Sequence, residues 1–336
     1  MDHRKTYAGV FLVALSTLVL EILLTRITSV VAWYHLAFFV ISLAMLGMTA
    51  GAVIVFVRPE SFRDDLVPRR ATEACLALAA TAPVAIAAAL AIPLRPITST
   101  EGFVAMLGYG GALAVPFTLS GIVLTLVLTR AGLPPGRVYG VDLVGAAAGC
   151  GVVIPLLDWL DAPSAVLVAS ALAALAALAF ALARDDARAR PHARFAGFLS
   201  LVLVVLGLLN ATADSPWLRP QQVKGEAEDP SDFLYNGWNT YSRVTVDDTL
   251  VMPPALWAGG RLTPLEVLRP LPQRAIKIDG AAGTVMVDFD RDPDDGQPAS
   301  LAAHDYLEWD VTSFAHRLRP TGMVFAVAPG PTTVAL

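Results

Sequence analysis

The chain has 336 residues, 55% of them hydrophobic and only 16% charged, with a mean hydropathy of +0.60. Soluble domains carry about 25% charged residues, so this composition argues against an ordinary soluble enzyme and rules out disorder, coiled coil and collagen. The net charge of −5 is unevenly spread, with +2 over residues 1–211 and −7 over residues 212–336. One part reads as a membrane body and the other as an acidic aqueous appendage. A net negative appendage repels phosphate, so nucleic-acid binding is not expected.

A hydrocarbon core of about 30 Å is crossed by roughly 20 mainly apolar residues in helical form. Seven segments meet this requirement, at about 7–30, 33–57, 72–94, 103–129, 138–160, 163–183 and 194–211. The first follows Arg4 and Lys5 as a signal peptide would. It is too long for one and has no small-residue cleavage site ahead of Glu21 and Arg26, so it reads as a retained span. The fourth contains Pro116, which removes a backbone hydrogen bond, and is expected to be one bent helix. Twelve basic residues fall on the N-terminal side (Arg4, Lys5 and the arginines of the second, fourth and sixth loops), against Arg95 on the other. This bias predicts a multi-pass inner-membrane protein with its N-terminus in the cytoplasm. Seven crossings then put residues 212–336 on the far side, and a miscount at the short segment 194–211 would reverse that placement.

Beyond Asn210 the pattern changes. Residues 212–232 are polar and proline-containing and read as a linker. Tyr241–Val246 alternates with period two, and 275–278 and 284–287 form two further short strands around the turn-like Asp279-Gly-Ala-Ala-Gly283. Residues 301–318 are expected to be a helix with Leu307, Val311, Phe314 and Leu318 on one side. Residues 323–327 read as a buried strand followed by Ala328-Pro329-Gly330-Pro331.

Several residues could carry chemistry. Glu21 and Arg26 lie in the first span and Asp142 in the fifth, and ionisable groups at membrane depth face a bundle interior or cavity. Glu21 and Arg26 are about 140° apart around a helix, so partners on other helices are expected, Asp142 being one candidate for Arg26. The patterns Gly47-x-x-x-Gly51 and Gly145-x-x-x-Gly149 let helices approach closely. Trp238-Asn-Thr-Tyr-Ser-Arg243 runs into a strand, where Asn239 and Arg243 can hold a carboxylate or phosphate or tie down a turn. Cys75 and Cys150 suit neither a disulfide scaffold nor a zinc site, and no metal site is expected.

Taken together, Leu20-Glu-Ile-Leu-Leu-Thr-Arg26, Pro116-Phe-Thr-Leu-Ser-Gly121, Val138-Tyr-Gly-Val-Asp-Leu-Val-Gly-Ala146, Trp238–Val244, Ile278-Asp-Gly280 and Thr312–Pro320 follow one order. That order resembles bacterial polytopic membrane proteins fused to a spermidine synthase-like domain. The resemblance implies a fold that is mainly α: a helical membrane domain over 1–211, a linker over 212–232, a β-rich region over 233–318, and over 319–336 the first strand and turn of a truncated Rossmann-like domain. It implies aminopropyl or methyl transfer, with S-adenosylmethionine or its decarboxylated form held at Ala328 and Gly330. Trp238, Asn239, Ser242 and Arg243 would bind substrate. Proline and alanine stand where the family has glycines, and Pro331 removes a donor, so this chain by itself is expected to bind the cofactor poorly and to be catalytically incomplete. The lipid bilayer is the expected partner, beside a homo-oligomeric copy or a missing C-terminal domain. The alternative reading is a non-enzymatic module, transporter-like or scaffold, with an acidic appendage.

Overall fold

The computed structural model describes residues 2–94, 98–184, 186, 189–256, 263–287, 301–313 and 318. The chain divides into two compact units, Met1–Thr245 with Ile278–Ala282, and Val246–Lys277 with Gly283–Leu336. The first unit therefore does not stop at residue 211: it takes in the stretch read as a linker.

Seven long helices build that unit: α1 His3–Val31, α2 Ala37–Val57, α3 Val67–Ala91, α4 Thr100–Arg130, α5 Pro135–Trp159, α6 Ala162–Leu182 and α7 Ala189–Ala211. All seven are long and apolar enough to cross a membrane. Their starts are written into the sequence. Asp2 accepts from the Arg4 and Lys5 amides, Ser99 from Gly102, and Asp161 from Ser164, each satisfying donors that a helix leaves open. Pro116 lies inside α4, which continues through it as one helix.

α1 and α6 are the most enclosed helices, while α2, α5 and α7 leave most of their surface outward. Phe38, Met45, Phe56, Phe198 and Leu201 are among the large apolar side chains so exposed, a surface compatible with lipid. Polar side chains hold the interior together. Thr17 and Ser120 share a hydrogen bond of 2.6 Å between α1 and α4, as do Thr28 and Tyr109. Ser16 donates to the Ala169 carbonyl at 2.7 Å, linking α1 to α6. Both glycine pairs sit at close helix contacts. A Cβ on Gly47 would come 2.8 Å from the Ala114 carbonyl on α4, and one on Gly145 would come 2.5 Å from the Phe11 carbonyl on α1.

The two ends of the bundle are distinct. At one, the Asp2 amide donates to the Ala183 carbonyl and Lys5 Nζ to the Leu182 carbonyl, both at 3.1 Å. At the other, fully buried Asn210 donates to Ser164 Oγ at 2.8 Å and to the Leu218 carbonyl at 3.1 Å, and accepts from the Leu218 amide at 2.8 Å. The chain thus leaves α7 at the end opposite residue 2. Asn210 is the clasp that turns it back onto the bundle, and Asn210→Ala would strand the Leu218 amide and carbonyl. We expect a cost of about 1–3 kcal/mol, with faster proteolysis at 212–220 in limited-digestion time courses.

After this clasp come β1 Gln222–Val223 and β2 Glu226–Ala227, an antiparallel pair with Val223 opposite Glu226. Their connection, Lys224-Gly225, has φ of 52° and 92°, the left-handed values of a two-residue hairpin turn. This hairpin lies within the stretch read as a linker. β3 Phe233–Trp238 and β4 Arg243–Asp247 are neighbours, β4 falling on the strand read from alternation.

In the second unit, β5 Leu250–Met252 runs antiparallel to β6 Leu271–Ile278, with Val251 opposite Pro272, and β7 Ala282–Val287 lies beside β6. β6 and β7 cover the two expected short strands. A small core of Val267, Leu271 and Tyr306 is backed by Leu268 and Trp309. Over residues 301–313 the expected helix is corrected: they form 3₁₀ turns at Leu301–Trp309 and Val311–Ser313, broken at His304 with φ −118° and ψ 35°, while Leu318 is helical and 314–317 lie outside the described residues. A three-residue turn selects a different face from a 3.6-residue helix. Tyr306 is buried, Leu307 and Val311 are exposed, and Phe314 lies outside the described residues. The expected strand 323–327 and its turn, with Ala328 and Gly330, lie outside the described residues.

Candidate functional site

The segment Trp238–Arg243 is consumed largely by its own turn. Asn239 Oδ1 accepts from the amides of Tyr241 and Ser242, both at 2.8 Å, and the Asn239 amide donates to the Ser242 carbonyl at 2.9 Å. This asparagine turn lets β3 return as β4. Arg243 then points inward with its side chain 3% exposed. Its Nη1 donates to Glu228 Oε2 at 2.7 Å and its Nε to Asn236 Oδ1 at 3.0 Å. Its guanidinium also lies over the rings of Phe233 and Trp238, 5.7 and 6.0 Å from the centroids. Neither Glu228 nor Asn236 was picked out from the sequence. A buried arginine demands such partners, but nothing in spacing alone names them.

The Arg243 backbone is tied to a distant turn. Its amide donates to Asp279 Oδ1 at 2.8 Å, and the Asp279 amide donates back to the Arg243 carbonyl at 2.8 Å. Asp279 and Gly280 have φ of 49° and 74°, and a Cβ on Gly280 would collide with Val223 of β1. The Asp-Gly turn is therefore pressed against the first hairpin and needs glycine there.

Trp238 and Arg243 help to line a cleft of about 270 Å3, together with Asp161, Asp214, Arg219 and Glu228. Among these, Asp161 has its carboxyl pushed above the usual aspartate range, because burial outweighs the hydrogen bonds it accepts from Ser164. A raised carboxyl favours the folded state most below the unfolded value near 3.8, and that contribution is lost as pH rises through the raised value. We expect the melting temperature of the wild type, relative to Asp161→Asn, to fall across the mildly acidic range as pH increases. Melting curves of the two proteins over a pH series check this.

The three intramembrane ionisable residues do not meet. Asp142 lies three residues before Gly145, which packs on Phe11. Arg26 is fifteen residues further along α1, or roughly 22 Å at 1.5 Å per residue. Glu21 and Asp142 are half-buried and form no ion pair among the described residues. Arg26 instead faces Asp279, with Nη2 to Oδ1 at 4.0 Å. Asp142 is thus replaced as the candidate partner by a residue outside the helices. Lys224 joins the same cluster: its amide donates to the Val31 carbonyl at 2.8 Å, where α1 ends. Burial lowers its ammonium pKa, partly offset by the Asp279 charge.

Among the described residues no cluster of three or more His, Cys, Asp or Glu side chains could hold a metal. Cys75 is buried and Cys150 exposed, both as free thiols. No family model matches the sequence, and comparisons with curated proteins and with solved structures find no match either.

Proposed function

We propose that this chain is a multi-pass inner-membrane protein whose bundle carries a spermidine synthase-like transferase region. The observation behind this reading is the lock between Arg243 and Asp279, which joins two of the three appendage motifs that carry the resemblance. In this reading the cleft beside Trp238, with the carboxylates of Asp161 and Asp214, receives a small amine. The donor is S-adenosylmethionine or its decarboxylated form, held around Ala328 and Gly330. Titration calorimetry with putrescine tests the reading. Binding is expected to weaken several-fold in Asp214→Asn and Trp238→Phe, and absence of heat with the wild type would sink it.

A second reading, a non-enzymatic membrane module, is favoured by the end of the bundle at which residues 212–245 lie. Eleven of the twelve basic residues are among the described residues and gather at the N-terminal end, several of them in ion pairs such as Arg69–Glu73 and Arg130–Asp64. If that end is cytoplasmic, residues 212–245 face away from the compartment that holds S-adenosylmethionine. Sidedness therefore separates the two readings.

A further inference from the structure

Three nitrogens at the far end of α1 are withdrawn from solvent without a hydrogen-bond acceptor: Nε and Nη2 of Arg26 and Nζ of Lys224. Burying a cation in this state is expensive, more so than leaving a neutral donor unpaired. The carboxylate beside them, Asp279, does not settle the account. Its Oδ1 already accepts the Arg243 amide, and it stands 4.0 Å from Arg26, beyond hydrogen-bond length. Two cations against one carboxylate leave a local excess of one positive charge, since Arg243 is matched by Glu228.

The backbone supplies an independent observation. Lys224 and Asp279 are the non-glycine residues with left-handed φ among the described residues, and both sit in this cluster. The first position of such a hairpin turn favours Asn, Asp or Gly, so aspartate is at home and lysine is not. The turn accepts a costly residue and thereby delivers an ammonium to the end of α1. There Nζ lies 4.4 Å from the centroid of the Tyr34 ring and 5.7 Å from that of Trp33. Both rings are about half exposed, where aromatic residues mark the membrane–water boundary.

We infer that Arg26 and Lys224, walled by Trp33 and Tyr34, form a binding site for a phosphate-bearing anion. Phosphate oxygens provide the several acceptors that Nε, Nη2 and Nζ lack, and the charge cancels the local excess. Arg26 lies about 7 Å of helix before the end of α1, so the anion is either the headgroup phosphate of a lipid or a free phosphate. The inference stands apart from the transferase reading, since it needs neither the cleft nor the cofactor.

The test uses the full chain. In detergent it is melted against increasing inorganic phosphate, with chloride at matched ionic strength as the control. In reconstituted vesicles it is melted in phosphatidylglycerol and in a diglycosyl diacylglycerol, which has no phosphate. At least one arm is expected to raise the wild-type melting temperature over its control. Arg26→Gln and Lys224→Gln are each expected to weaken apparent phosphate affinity about tenfold, or to abolish the lipid effect. Arg26→Lys and Lys224→Arg, which keep the charge, should retain most of the response, and Lys5→Gln at the opposite end should retain all of it. Stabilisation by inorganic phosphate identifies a soluble anion, and stabilisation by phosphatidylglycerol alone identifies a lipid headgroup. If neither arm stabilises the wild type, or if Lys224→Gln responds as the wild type does, the site does not exist. Should Arg26→Gln fail to fold, the Lys224 pair decides.

Discussion

Gly121→Leu is expected to break the bundle open between α2 and α4. Gly51 and Gly121 lie at the contact between these helices. A Cβ on Gly121 would sit 2.6 Å from Met48 Cα and 2.8 Å from its carbonyl carbon, and one on Gly51 would sit 2.7 Å from the Ile122 amide nitrogen. The obstructing atoms are backbone, so no change of rotamer relieves the clash and the helices must separate. Overpacking a well-filled interior costs about 1–3 kcal/mol, and a leucine against main chain belongs at or above the upper end. Separation would also put the Thr17–Ser120 and Thr28–Tyr109 hydrogen bonds under strain, because Ser120 and Tyr109 ride on α4. Thermal melting of detergent-purified protein should show Gly121→Leu and Gly51→Leu as strongly destabilised or unrecoverable. Gly111→Leu, whose Cβ meets nothing within 4 Å on an exposed face of the same α4, should melt with the wild type.

The second large effect concerns the Arg243–Glu228 pair. Both side chains are largely withdrawn from water, at 3% and 14% exposure. Removing one partner from a buried pair leaves an uncompensated charge and costs about 3–5 kcal/mol, whereas replacing both with apolar residues of similar volume is often close to neutral. Glu228→Ala should therefore unfasten β3 and β4, detected as early cleavage within 221–245 during limited proteolysis, while the helices resist. Arg243→Met combined with Glu228→Leu should recover much of the loss. Equal damage from the single and double variants would show that Arg243 acts through its stacking on Phe233 and Trp238, or through a ligand, rather than through its charge.

The membrane part was legible because hydropathy is a one-dimensional signal: a run of some 20 apolar residues says helix whatever it packs against. Helix contacts were partly legible for the same reason, as Gly47, Gly51, Gly145 and Gly149 each meet a neighbouring helix. Pairings distant in sequence were not. Nothing near Arg26 signals Asp279, because the two are joined through the hairpin Gln222–Ala227 and the turn at Gly280. The hairpin itself was hidden, since Lys-Gly is a poor match to the usual Asn-Gly or Asp-Gly signal and its strands are two residues long. At 301–313 an apolar spacing that fits 3.6 residues was overridden by the break at His304. In Trp238–Arg243 the position of the motif was legible and its use was not: Asn239 serves its own turn and Arg243 points inward.

Seven helices able to cross a membrane leave the basic end of the bundle and residues 212–245 on opposite sides, and which of the two is cytoplasmic separates the proposed readings. Single cysteines in a background lacking Cys75 and Cys150 test it, labelled in intact cells with a membrane-impermeant maleimide. Glu60→Cys, in the exposed turn after α2, should react only after the membrane is permeabilised. Ser215→Cys, exposed beyond α7, should react in intact cells. Labelling of both sites from the same side would contradict the seven-span arrangement, and reversed labelling would put the appendage in the cytoplasm, where the transferase reading needs it.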